Sequence, residues 1–155
     1  MTVHKTPVKG VSANSDHVSV MLDEVIDALQ PNKNGVYVDG TFGAGGYSRA
    51  ILTNKVSMLW AIDRDPSVHE AANALEKDFP NKFKLLQGCF SDMESLLRNN
   101  GQRQVEGVVL DIGVSSMQLD HAHRGFSFMK DGPLDMRMAD HGITAAEVVN
   151  ETEEE

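Results

Sequence analysis

Three carboxylates stand at the ends of short apolar runs, and each could do chemistry there. Asp39 closes Val36-Tyr37-Val38 and is followed by a glycine-rich turn, Gly40-Thr41-Phe42-Gly43-Ala44-Gly45-Gly46-Tyr47. Asp63 closes Met58-Leu59-Trp60-Ala61-Ile62, 18 residues after Gly45. Asp111 closes a third run over 105–110. A strand that turns through glycines into a helix lets the backbone approach a ligand closely, and an acid about 20 residues later suits ribose hydroxyls. Asp39 beside such a turn would repel a pyrophosphate and attract a cation. S-adenosylmethionine (SAM) carries an ammonium and a sulfonium and no phosphate, so the pattern reads as a SAM site.

Gly43, Gly45 and Gly46 would let the backbone pass beneath the ligand. The helix N-terminus behind them would offer N–H groups to the methionine carboxylate. Asp39 would face the ammonium, directly or through water. The plainer alternative is a tight strand-to-helix turn with an exposed Asp. Asp63 would accept two ribose hydroxyls in charge-assisted hydrogen bonds. It lies in Asp63-Arg64-Asp65-Pro66, where Asp65 already supplies a helix cap. Phe90 follows a further strand and either packs on adenine or staples the next helix into the core. Cys89 reads as a small buried residue, with no His or Lys beside it. Asp111 is the candidate catalytic group. An exocyclic amine is a poor nucleophile because its lone pair spreads into the ring, and a carboxylate accepting its N–H localises that pair. The alternative is a capping or sugar-contacting Asp.

Downstream, Arg124, Phe126, Phe128, Lys130 and Arg137 interleave cations with aromatics. That mixture suits phosphate contact and stacking on an unpaired base, or a folded-back loop that buries its Phe residues. His121 and His123 lack further ligands, so they read as solvated loop residues and no metal site is expected.

These residues need an alternating frame to position them. Apolar spacing predicts a helix over 18–29, stopped by Pro31. Strands are expected at 36–39, 58–63, 83–87 and 105–110. Helices are expected at about 46–54, from Asp65 and Pro66 to about 77, and over 91–98. Alternating strands and helices imply an α/β fold, a doubly wound parallel sheet. From Asp111 to Met138 little periodicity is visible, and long irregular stretches are usually functional. Thr144-Ala145-Ala146-Glu147 reads as a capping box opening one more helix, and the sequence breaks off inside it. With nothing beyond it, the fourth strand would be an open edge that invites self-association.

Composition narrows the classes. A chain of 155 residues is one domain's worth. No apolar run approaches the roughly 18 residues that span a bilayer, and the N-terminus has no secretory h-region. One cysteine excludes an internal disulfide and fits a reducing compartment, hence a cytoplasmic location. Net charge is −9, but Asp140, Glu147, Glu151, Glu153, Glu154 and Glu155 concentrate much of it at the C-terminal end. The acidity therefore weighs little against a nucleic-acid partner.

The chain closely resembles the bacterial small-subunit ribosomal RNA methyltransferase H family. The matching runs are 38–52, 61–66, 109–116 and 124–138, the last being Arg-Gly-Phe-Ser-Phe-Met-Lys-Asp-Gly-Pro-Leu-Asp-Met-Arg-Met. The resemblance implies a class I SAM-dependent methyltransferase fold, with a helical insertion after strand four, acting on cytosine N4 of 16S rRNA in the small ribosomal subunit. It implies SAM contacts at Gly45, Gly46, Tyr47, Asp63, Phe90, Asp111 and Gln118. Tyr47 stands where many relatives have His, and Met117 where Pro is common. Family members run to about twice this length, so this is expected to be an N-terminal part. It would divide into a flexible arm over 1–16, a SAM-binding part over 17–138, and the start of the insertion over 139–155. Such a fragment would not be expected to transfer methyl groups normally. Two rivals remain: an NAD-dependent oxidoreductase, disfavoured by Asp39 and by Ser48 in place of a third motif glycine, and a non-catalytic SAM-binding fragment.

Overall fold

The computed structural model describes residues 19–153, so the expected arm over 1–16 lies outside the described residues. Four strands form one sheet: β1 Val36–Asp39, β2 Met58–Asp63, β3 Phe83–Gln87 and β4 Gly107–Val109. All pairings are parallel, in the order β3-β2-β1-β4. The register sets Val38 opposite both Trp60 and Val108, and Asp39 opposite both Ala61 and Val109. β1 is thus a central strand, and its C-terminal tip lies between the tips of β2 and β4.

Alternation along the strands sorts the core onto two faces. Tyr37, Leu59, Ala61 and Phe83 join Ile51, Leu52 and Leu75 on one face. That face is covered by α1 Leu22–Leu29, α2 Gly46–Thr53 and α3 His69–Asp78. Val38, Trp60 and Ile62 pack with Leu97 on the other, under α4 Met93–Asn99. Helices on both faces make the sheet doubly wound, as expected.

Several boundaries move, for local reasons. The first helix begins at Leu22, after Met21 in a left-handed conformation; residue 18, where the expected helix starts, lies outside the described residues. The helix after Asp65 opens as a 3-10 turn, Pro66–Val68, with Asp65 accepting from Ser67 N at 3.0 Å. The fourth helix is likewise preceded by a 3-10 turn, Phe90–Asp92. β4 shrinks from the expected 105–110 to three residues, and among the described residues it pairs with β1 alone. The stretch after Asp111 holds a helix that periodicity does not show, α5 Ser116–Asp120. Its signal is a capping box: Ser115 Oγ accepts from Gln118 N, and Gln118 Oε1 accepts from Ser115 N. The box at Thr144 and Glu147 opens α6 Ala145–Glu151 as expected.

Candidate functional site

The C-terminal tips of β1, β2, β3 and β4 open into one crevice of about 920 Å³. Open α/β sheets place ligands at these tips, where the strand order reverses. Gly43 and Gly46 line the crevice with Tyr47, Asp63, Phe90, Asp111 and Gln118. Of the residues expected to hold a ligand, Asp39 and Gly45 are not part of that lining.

Asp63 closes the floor of the Gly turn. Its Oδ2 accepts from Gly43 N at 2.8 Å, and its Oδ1 accepts from Asp65 N at 2.9 Å. Gly43 and Gly45 both have positive φ, at 52° and 80°. A Cβ at Gly45 would also strike the Phe42 ring, so this turn needs glycine there for shape.

Asp39 lies beneath the crevice rather than in it. Its exposure is 0%, and its oxygens accept from Ser48 Oγ at 2.7 Å and Thr41 N at 3.2 Å. Burial raises its pKa from 3.8 to about 6, opposed by the Ser48 and Thr41 hydrogen bonds and reinforced by the nearby Asp63 charge. The strand-end acid is therefore drawn under the turn by a hydroxyl on the following helix.

Tyr47 points its ring inward, and its hydroxyl donates to the Val20 carbonyl. Burial raises its pKa, with Asp111 and Asp39 adding to the shift. Its hydroxyl is thus turned to the start of α1. Asp111 is exposed at the crevice edge, and its backbone N donates to Thr41 Oγ1 at 2.7 Å. This bond ties the end of β4 to the Gly turn. Phe90 is 38% exposed, with its Cβ beside Gly40. Cys89 also lines the crevice, half-buried, with Sγ 4.0 Å from Arg64 Nη1. Hydrogen bonds from Ser91 lower its pKa.

Gln118 is 5% exposed and already engaged: beyond its capping role, Nε2 donates to Asp65 Oδ2 at 3.1 Å. Burial would raise the Asp65 pKa, but Arg124, Ser67 and Gln118 together hold it below the usual carboxylate range. The downstream cations are likewise turned to their own chain. Arg124 pairs with Asp65 at 2.9 Å. Arg137 forks onto both Asp135 oxygens, Nε to Oδ1 at 3.0 Å and Nη2 to Oδ2 at 2.6 Å, and that hydrogen bonding lowers the Asp135 pKa to about 2. Lys130 donates to the Asp120 carbonyl at 2.5 Å. Phe126 is half-buried, whereas Phe128 and Met129 stand fully in solvent. The loop is thus split into a fastened base and an apolar tip.

Residues 14–155 match the MraW methylase family. The chain belongs to that family. It is 57% identical over 145 residues to ribosomal RNA small subunit methyltransferase H of Rhodospirillum rubrum, covering 94% of this chain and 44% of the relative. The namesake proteins of Paramagnetospirillum magneticum and Rhodospirillum centenum are 57% and 53% identical, covering 89% and 99% of this chain but 43% and 46% of their own. This MraW methylase family member thus spans under half the length of these curated relatives.

The donor set of the crevice fits SAM. Asp63, Asp65, Asp111 and Asp120 line it with Arg64, but Arg124 meets Asp65 at 2.9 Å and Lys130 lies 3.9 Å from Asp120, so the excess of acid rests on Asp63 and Asp111. A pyrophosphate would meet this excess of acids unfavourably, whereas a ligand with net positive charge would not. Phe90, Ile112 and Val114 make part of its wall apolar.

Proposed function

We propose that this chain is the SAM-binding portion of an enzyme that methylates the N4 amino group of a cytidine in 16S rRNA of the small ribosomal subunit. The observation that carries this reading is the crevice at the strand tips, acid-lined and with Asp63 fastened to the Gly turn. The name of the relatives, ribosomal RNA small subunit methyltransferase H, supports an RNA substrate in the small subunit.

SAM supplies an electrophilic methyl group next to a positive sulfur. Asp63 would accept the ribose hydroxyls with the lone pairs left by Gly43 and Asp65. Phe90 would pack on the adenine. The backbone N–H groups of Gly46 and Tyr47 at the start of α2 would meet the methionine carboxylate, with Gly43 and Gly45 shaping the turn beneath it. Asp39 would act from below, its charge felt through the turn. Gln118 would shape the far wall through α5. Asp111 would accept an N–H of the target amine and aim its lone pair, with loss of the proton following transfer. Such catalysis rests on position and electrostatics. Phe128, with Phe126 behind it, would offer a stacking surface to an unpaired base, while Lys130 and Arg137 border it.

Isothermal titration tests the reading. S-adenosylhomocysteine should bind and NAD should not. Binding of NAD without S-adenosylhomocysteine would overturn it in favour of an oxidoreductase. For the isolated chain we further propose cofactor binding without normal methyl transfer. Full turnover on small-subunit particles by this chain alone would overturn that part.

A further inference from the structure

The turn after β2 and the loop over 122–138 meet at one atom. Arg124 Nη2 lies 2.9 Å from Asp65 Oδ2, and the same nitrogen donates to the carbonyls of Arg137 at 3.0 Å and Met138 at 2.9 Å. The pair is sheltered, with side-chain exposures of 17% for Arg124 and 5% for Asp65. Asp65 N donates in turn to Asp63, and Asp63 accepts from Gly43. A continuous run of bonds therefore joins the Gly turn, the proposed ribose acid and the loop that carries Phe126 and Phe128.

A guanidinium nitrogen committed to an acid and two carbonyls of its own chain is poorly placed to take a phosphate. We infer that Arg124 is a positioning residue that couples the cofactor crevice to the loop that meets RNA. Occupancy at Asp63 orders the 122–138 loop through Asp65 and Arg124. This rests on the SAM reading above. A ligand that restrains the 63–65 turn removes part of the freedom the loop must otherwise lose, so the two sites become coupled with no change of fold. The coupling is reciprocal: RNA on the loop tightens the cofactor by the same factor.

Hydrogen exchange on the 155-residue chain, with and without saturating S-adenosylhomocysteine, tests the link. In the wild type, the ligand should slow exchange over 125–138 as well as over 43–48. In Arg124→Ala the protection should persist at 43–48 and vanish at 125–138. Arg124→Lys should restore it in part, because one ammonium can take the place of Nη2. A wild-type loop indifferent to bound ligand, or an Arg124→Ala loop that still responds, would overturn the inference. If Arg124→Ala does not fold, Asp65→Asn takes its place with the same two outcomes. A second arm needs no ligand. Arg124→Ala and Asp65→Asn should each speed exchange over 125–138 by about fivefold or more. The double variant should be no faster than either, whereas additive effects would break the link. Failure of the wild type to bind S-adenosylhomocysteine by titration would instead overturn the cofactor reading, leaving the ligand-free arm to decide the Arg124 link.

Discussion

Ser48 donates its hydroxyl to Asp39 at 2.7 Å, and neither residue has any exposure to solvent. A carboxylate held there ionises against its own burial, which is why its pKa is raised from 3.8 to about 6. The folded state therefore holds this proton more tightly than the unfolded chain. Stability contributed by the protonated form is complete below about pH 4 and is lost as pH rises through about 6. The loss amounts to about 3 kcal/mol from this group alone. Asp39→Asn, which keeps an acceptor for Ser48, should flatten that slope and raise stability at neutral pH while weakening S-adenosylhomocysteine binding. Urea unfolding between pH 4 and 8, paired with titration, reads both effects. An unchanged slope would show that Asp39 is not the titrating group.

Asp63 has two duties, and its removal should show both. Asp63→Ala deletes the proposed ribose acceptor and should weaken S-adenosylhomocysteine binding by roughly 1.5–3 kcal/mol, the range for a charged hydrogen bond. It also releases the amides of Gly43 and Asp65, so exchange at both should accelerate in the free protein. Weaker binding with both amides still protected would mean that the turn holds itself.

Asp111 should separate turnover from affinity. Its backbone bond to Thr41 survives Asp111→Ala, so the crevice keeps its shape. In an active enzyme on small-subunit particles, turnover should fall by about a hundredfold, as for loss of one preorganised electrostatic contact. S-adenosylhomocysteine affinity should change little. Equal losses in both would remove the amine-orienting role.

β4 is an edge of the sheet among the described residues, and apolar side chains near it are bare. Val108 and Leu110 are each 42% exposed, and Ile112 is 72% exposed. Exposed strand edges with apolar flanks pair with other chains. The chain should sediment as a concentration-dependent mixture, and Val108→Lys should shift it toward monomer. A sharp monomeric melt that does not depend on concentration would count against self-association.

Phe128 stands free at the loop tip. Phe128→Ala should leave the melting temperature unchanged and weaken binding to single-stranded RNA by about 1–3 kcal/mol, the value of one stacked base. A drop in melting temperature would place the ring in the fold instead.

The four strands and their acids were legible in sequence because they rest on short-range signals. Val36-Tyr37-Val38 and Met58-Leu59-Trp60-Ala61-Ile62 are buried on both sheet faces, and such strands read as unbroken apolar runs. Glycines and a helix cap mark where each run ends. α5 was not read from the sequence: five residues are too few to carry a period, and its Ser115–Gln118 capping box was found only in the structure.

Which acid faces the crevice was decided elsewhere. Asp39, Asp63 and Asp111 look alike along the chain, each a carboxylate after an apolar run. Strand order sets β1 between β2 and β4, so Asp39 is enclosed and takes Ser48, while Asp111 at the sheet edge stays in water. Arg124 likewise reads as a phosphate contact until folding brings it to Asp65, 59 positions earlier in the chain. Local pattern specifies a strand or a turn because its hydrogen bonds lie within a few residues. The partner of a buried charge is chosen by distance in space, and that exists only once the sheet has formed.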